Sequence, residues 1–183
     1  MILLFYEFLC YSFLGFLLEV LYARLLGLGR HGKKCQLVLP ICPVYGLGAA
    51  AILHMPHLLQ SHSASLFIAG GLLATLTEYV VGAIYLWGIR VRFWDYSQSP
   101  GNISGLICPL YTFYWGLLSV VLVQAIHPAL GPCLAQIPED LAVLLFPLFA
   151  GDTLVSLWLL HRTGTPDCLM WYTAFVQPQR ASM

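Results

Sequence analysis

The chain has 183 residues, of which 60% are hydrophobic and 9% charged, with zero formal net charge and a mean hydropathy of +0.82. A soluble domain carries about 25% charged residues, so this chain cannot cover a water-facing surface; a soluble globular domain is excluded, and a polytopic α-helical membrane protein is the class that fits. Neutral net charge gives a nucleic-acid partner no electrostatic support, and the lipid bilayer is the expected surrounding.

A spanning helix needs about 20 mainly apolar residues. The first candidate, residues 3–26, carries Glu7 rather than a basic leader region and runs past signal-peptide length, so it reads as a span. Further candidates follow at residues 41–59, 66–89, 106–126 and 141–160. Their continuous apolarity, without period-2 alternation, selects helices over a barrel. The expectation is an all-α fold with five transmembrane helices in one domain, residues 1–162, followed by a cytoplasmic tail, residues 163–183. Within that tail, Leu169-Met170-Trp171-Tyr172 reads equally as an interfacial aromatic anchor or as disorder.

Basic residues set the orientation. With the N-terminus outside, Arg24, Arg30, Lys33, Lys34, Arg90, Arg92, Arg162 and Arg180 all fall on the cytoplasmic side, and these are all 8 Lys and Arg residues of the chain. Four or six spans would break the pattern. The expected outer loops, residues 60–65 and 127–140, contain none.

Two stretches are nearly the same: Ile41-Cys42-Pro43-Val44-Tyr45 and Ile107-Cys108-Pro109-Leu110-Tyr111. Each opens a helix entering from the cytoplasmic side, and each follows a helix with one glutamate, Glu19 or Glu78, and an arginine at its inner end. The pattern reads as a parallel repeat in which helices one and two copy helices three and four. Prolines common near helix starts and chance in an apolar chain are the competing explanation. Paired Pro-Tyr helix starts would aim two helix N-termini, with Tyr45 and Tyr111, at one shared space.

Between the third and fourth spans lies the most polar passage, residues 93–109, with Trp94, Asp95, Tyr96, two prolines, two glycines and Asn102. It reads as the rim of a cytoplasm-facing binding site. Inside the spans sit Glu19, Glu78 and Asp152, while Glu7 lies near the outer end of the first, where it can reach water. A carboxylate at mid-bilayer costs roughly 2.5–3.5 kcal/mol on insertion scales. Such acids are protonated, hydrogen-bonded in a polar clasp between helices, or part of an ion or proton pathway. Glu19 lies nearer the cytoplasmic end, where an ion pair with Arg90 or Arg92 is an alternative.

Other signals are weaker. His54 and His57 at a helix end have metal-ligand spacing, and Cys42 and Cys108 occupy matching repeat positions, but buried small residues and interfacial histidines explain both. The six cysteines show no disulfide framework. Asn102-Ile103-Ser104 matches a glycosylation acceptor on the wrong side of the membrane. No nucleotide-binding glycine loop, catalytic triad order or zincin motif occurs, so any ATPase would be a separate chain, and no cofactor is expected.

One combination is distinctive: Tyr11-Ser12-Phe13-Leu14-Gly15 with Glu19, Cys42-Pro43-Val44-Tyr45-Gly46-Leu47-Gly48, Glu78-Tyr79, Trp94-Asp95-Tyr96-Ser97 with Pro100, Asn102-Ile103 and Gly105, and Trp115-Gly116. It resembles the bacterial family named putative ABC-transporter type IV, over about residues 6–126. The fifth span and the tail lie outside that resemblance. Family members tend to read Asn-Arg-Gly-Phe-Leu and Gly-Pro in the first inner loop, where this chain has Lys33-Lys34-Cys35-Gln36-Leu37 and Leu39-Pro40.

The resemblance implies a transporter permease or channel component of the bacterial cell (inner) membrane. Its expected site residues are Glu19, Tyr45, Glu78, Trp94, Asp95, Tyr96, Asn102 and Tyr111. Five helices leave little room for a pore, so a homodimer, another membrane subunit or a separate ATPase is the expected partner. The alternatives are an intramembrane enzyme acting on a lipid or prenyl substrate, with Asp95 and Glu78 as acid and base, and a non-catalytic scaffold.

Overall fold

The computed structural model describes residues 1–25 and 35–169. Arg30, Lys33, Lys34, Arg180 and the Met170-Trp171-Tyr172 part of the expected anchor lie outside the described residues. Helix α1 (Ile2–Leu25) is followed by α2 (Pro43–Leu53), the single turn α3 (His57–Gln60) and α4 (Ser63–Ala83), which runs on through a π-helical turn, Ile84–Ile89. Helix α5 (Pro109–Val121) continues through a second π-helical turn, Leu122–Ile126, into α6 (His127–Leu134); α7 (Glu139–Thr163) and a 3-10 turn, Pro166–Leu169, close the described chain. No strand is present among the described residues. Four helices are long and apolar enough to cross a membrane: Ile2–Leu25, Ser63–Ile89, Pro109–Leu134 and Glu139–Thr163.

The expected second span, residues 41–59, is therefore much shorter than a crossing. Proline ends it on both sides. Cys42 is extended (φ −116°, ψ 97°) and Pro43 supplies the first helical position, where its fixed φ and missing N–H cost nothing. Pro56 biases Met55 away from the helical region, and the chain turns before α3. The 11 residues of α2 span about 17 Å at the α-helical rise, roughly half of a bilayer's hydrocarbon core.

Residues 35–42, leading into α2, are not helical, and their backbone groups need other partners. The polar stripe of α7 supplies them. Asp152 accepts from the backbone N–H of Val38 at 3.0 Å and of Leu39 at 2.7 Å. Ser156 Oγ accepts from Leu37 N–H at 2.8 Å, and Gln36 Nε2 donates to Thr153 at 2.8 Å. On the α1 side, Cys42 N–H donates to the carbonyl of Ser12 at 2.9 Å. Asp152 lies about halfway along α7, so this irregular segment reaches the middle of that helix before α2 begins. Irregular backbone at membrane depth persists only where protein satisfies it. Asp152 is thus a polar clasp, bonded to a loop rather than to a neighbouring helix.

Small residues bring the helices close. A Cβ on Gly71 of α4 would lie 3.1 Å from the Gly116 Cα and the Thr112 carbonyl of α5. A Cβ on Gly15 of α1 would run into the Tyr45 ring of α2, and one on Gly46 into Ser12 Oγ. Close approach through such residues is the common way helices associate in lipid. The helix starting at Pro109 outruns its expected end at residue 126 and reaches Leu134. Its π-helical turn sits just before Pro128, where the widened turn accommodates a residue with no N–H to donate. Glu7, expected to reach water, is instead only 5% exposed. At the other end, Leu160 and Leu169 pack with Cys35, Cys42, Val91 and Phe93, so the start of the expected tail is held against the bundle.

Candidate functional site

The end of α1 that carries Arg24 meets the starts of α2 and α5 and the loop after α4. Helices α2 and α5 both open on a cysteine N-cap with proline next, and both carry tyrosine as their third residue, Tyr45 and Tyr111. Those tyrosines line one cavity of about 360 Å³, together with Glu19, Tyr22, Tyr96 and Tyr114. Trp115 forms a further wall.

Two carboxylates organise the rings. Tyr45 donates its hydroxyl to Glu19 Oε1 at 2.7 Å. Glu78, 3% exposed, accepts from the Tyr96 hydroxyl at 3.0 Å through Oε1 and from Trp115 Nε1 at 2.8 Å through Oε2. Burial, and after it the neighbouring Glu78 carboxylate, pushes the Tyr96 hydroxyl far above the usual phenol range, so it stays a donor. Tyr96 stacks on Tyr111 at 4.2 Å between ring centroids, with planes 19° apart. The Tyr111 and Tyr22 hydroxyls are 3.2 Å apart, and Tyr45 packs against Trp115 at 5.0 Å.

A second cavity, of about 400 Å³, adjoins the first and shares Leu18, Tyr45, Trp115 and Leu118 with it. It runs along α1 past Leu14, Leu17 and Leu21, with Val121, Leu122 and Ile126 on the opposite wall. Leu17, Leu21 and Val121 are exposed, so the groove opens sideways between α1 and α5.

The expected site residues separate into two groups. Glu19, Tyr45, Tyr96 and Tyr111 line the chamber, and Glu78 joins them through Tyr96 and Trp115. Trp94, Asp95 and Asn102 line neither cavity; their polar atoms are spent on their own loop. Asp95 accepts from Ser97 N–H at 2.9 Å and pairs with Arg92 at 3.0 Å. The Ser97 hydrogen bonds, and after them the Arg92 guanidinium, hold its carboxyl below the usual carboxylate range. Asn102 donates to the carbonyls of Ser97 and Ser99 and accepts from Gly105 N–H at 3.1 Å. Trp94 donates to the Leu106 carbonyl at 2.8 Å, with its ring beside Gly82. Gly101 and Gly105 take left-handed φ values of 70° and 67°, which glycine adopts without Cβ strain. The passage expected to be a rim is a self-bonded loop that holds Tyr96 over Glu78.

Two pairings considered from the sequence give way to others. The Arg92–Asp95 contact is the one ion pair among the described residues, and Glu19 is bonded to Tyr45 instead. Cys42 has its sulfur 3.5 Å from that of Cys35. Among the described residues no group of three or more His, Cys, Asp or Glu side chains could hold a metal ion.

The sequence reading named Trp115 among the family motifs but not among the site residues, and passed over Tyr22 and Tyr114. A signal existed: Tyr111, Tyr114, Trp115 and Leu118 recur at i, i+3, i+4 and i+7, which puts them on one helix face. Tyr22 follows Glu19 by three residues on the same face of α1.

A family model described as Putative ABC-transporter type IV matches residues 6–157. The match runs well past residue 126, where the resemblance read from the motifs stops, and takes in most of α7. That extension fits the fold, since Asp152, Thr153 and Ser156 hold the segment leading into α2. No curated protein and no solved structure matched the chain.

Proposed function

The chain belongs to the putative ABC-transporter type IV family, a membrane transport-related group, and on that premise we propose that it is a permease or channel component whose substrate site is the tyrosine-lined chamber between α1 and α5. The chamber's placement carries this reading: it lies at the end of the bundle bearing Arg24, Arg90, Arg92 and Arg162, the cytoplasmic end under the positive-inside rule. The membrane is then a bacterial cell (inner) membrane, with the N-terminus outside. α2 makes the fifth passage as a half-length helix completed by irregular chain, and α1–α2 and α4–α5 form a parallel repeat bringing Tyr45 and Tyr111 to one space. Discontinuous passages of this kind recur at transporter substrate sites. A homodimer, a further membrane subunit or a separate ATPase completes the path.

Glu19 and the chamber tyrosines bind, and Glu78 positions Tyr96 and Trp115. Proteoliposome flux tests the reading with rubidium, choline and phosphate as probe solutes. Wild-type protein is expected to move at least one of them, and Glu78→Gln to lose that flux. Equal flux in both, or none in either, contradicts it. The groove beside the chamber favours one second reading, an intramembrane enzyme acting on a lipid or prenyl substrate; turnover of such a substrate without net solute movement would select it.

A further inference from the structure

We propose that the chamber and its adjoining groove together bind a cationic amphiphile, an organic ammonium head with an alkyl tail. The inference deepens the transport reading of the same site.

The described walls of the chamber suit a cation better than an anion. Tyr22, Tyr45, Tyr96, Tyr111, Tyr114 and Trp115 surround Glu19, and among the described residues that line the chamber none is Lys, Arg or His. Aromatic faces are negative and attract cations over the ring. Two of the hydroxyl donors are already committed to carboxylates, Tyr45 to Glu19 and Tyr96 to Glu78, and of the Tyr22 and Tyr111 hydroxyls one donates to the other.

A bare inorganic cation fits poorly. Calcium takes six to eight oxygen ligands and magnesium six, at close range, whereas here the walls are mostly rings around about 360 Å³. An alkylammonium head needs only ring faces and one counter-charge, the arrangement of an aromatic cage. Glu19 is the counter-charge, half-buried at the wall.

The groove supplies the second half of the ligand. It shares four walls with the chamber and is lined by leucine, valine and isoleucine on both sides. From Leu21 to Tyr11 it follows α1 for about 15 Å of axis, and its exposed rim at Leu17, Leu21 and Val121 faces the bilayer. A head in the chamber with its tail in the groove therefore enters from the membrane. Since lipid is as apolar as the groove, the head, not the tail, sets selectivity.

Radiolabelled dodecyltrimethylammonium binding to the full chain in lipid nanodiscs tests this. Binding should saturate and be displaced by unlabelled cationic analogues, but not by dodecanol or dodecyl phosphate at equal membrane concentration. Glu19→Gln should weaken it about tenfold or more. Tyr111→Leu should weaken it several-fold, while Tyr111→Phe, which keeps the ring, stays within about twofold, as does the distant Glu139→Gln. Displacement by dodecanol as effective as by the cation, or unchanged binding in Tyr111→Leu, overturns the proposal. Binding needs no flux, so failure here leaves the flux result standing, and flux of rubidium or phosphate with no ammonium binding would separate the two claims.

Discussion

Replacing Asp152 with alanine removes the acceptor for two backbone N–H groups, those of Val38 and Leu39, along with a 3.4 Å contact to Ser156 Oγ. Each hydrogen-bond donor left without a partner costs about 1–3 kcal/mol, so the pair comes to about 2–6 kcal/mol by the same measure. Deleting a carboxylate that is only 6% exposed returns part of its own desolvation cost, which favours the lower half of that range. For a chain of this length 1 kcal/mol shifts the midpoint by about 2–4 °C, giving an expected fall of about 4–16 °C. Asp152→Asn keeps one acceptor and should lose about half as much. Thermal unfolding in detergent, followed by a thiol-reactive fluorophore, suits the question because Cys35 and Cys42 are buried beside the same segment. If Asp152→Ala unfolds within about 1 °C of wild type, below the shift expected for even one lost bond, Asp152 does not hold the segment and the account of residues 35–42 is wrong.

Trp115→Phe removes the indole donor to Glu78 Oε2; a loss of about 1 kcal/mol is expected for one intramolecular hydrogen bond, read as a lower unfolding midpoint. Gly15→Ala puts a methyl group into the Tyr45 ring and should cost about 1–3 kcal/mol through overpacking, with weaker dodecyltrimethylammonium binding because Tyr45 must move from Glu19. For Asp95 the folded pKa is depressed, so its hold on the loop is present above its unfolded value of about 3.9 and is lost as pH falls through the folded value. Hydrogen exchange at the Ser97 amide should therefore show less protection in Asp95→Asn than in wild type at neutral pH, with the difference closing in acid.

The sequence carried the membrane class and the long helices because hydropathy is local. It also drew attention to Tyr45 and Tyr111, because the two Cys-Pro-x-Tyr stretches are nearly the same, and to Glu19 and Glu78, because acids in apolar helices stand out. It was silent where the deciding partner is distant or where polarity has two uses. Asp95 and Asn102 are what either a ligand rim or a self-bonded turn requires, and composition does not separate a side chain aimed at a ligand from one aimed at Ser97 or Gly105. The half-length α2 was hidden because apolarity alone ran through Met55-Pro56. Its support by Asp152, Thr153 and Ser156 joins segments over 100 residues apart, beyond any local pattern. Trp115 stands four residues after Tyr111 on the same helix face, so its place beside Tyr111 was readable in that spacing.

The central claim is a cation-selective chamber open to the cytoplasm, and sided thiol labelling of Tyr22→Cys tests it most directly. In oriented vesicles, on a background free of reactive native cysteines, a membrane-impermeant trimethylammonium thiosulfonate added from the cytoplasmic face should modify this position. It should do so faster than the matching anionic sulfonate reagent, while Ile68→Cys on the lipid-exposed face of α4 stays unreactive. Modification from the outer face alone, or a faster reaction with the anion, would contradict the account.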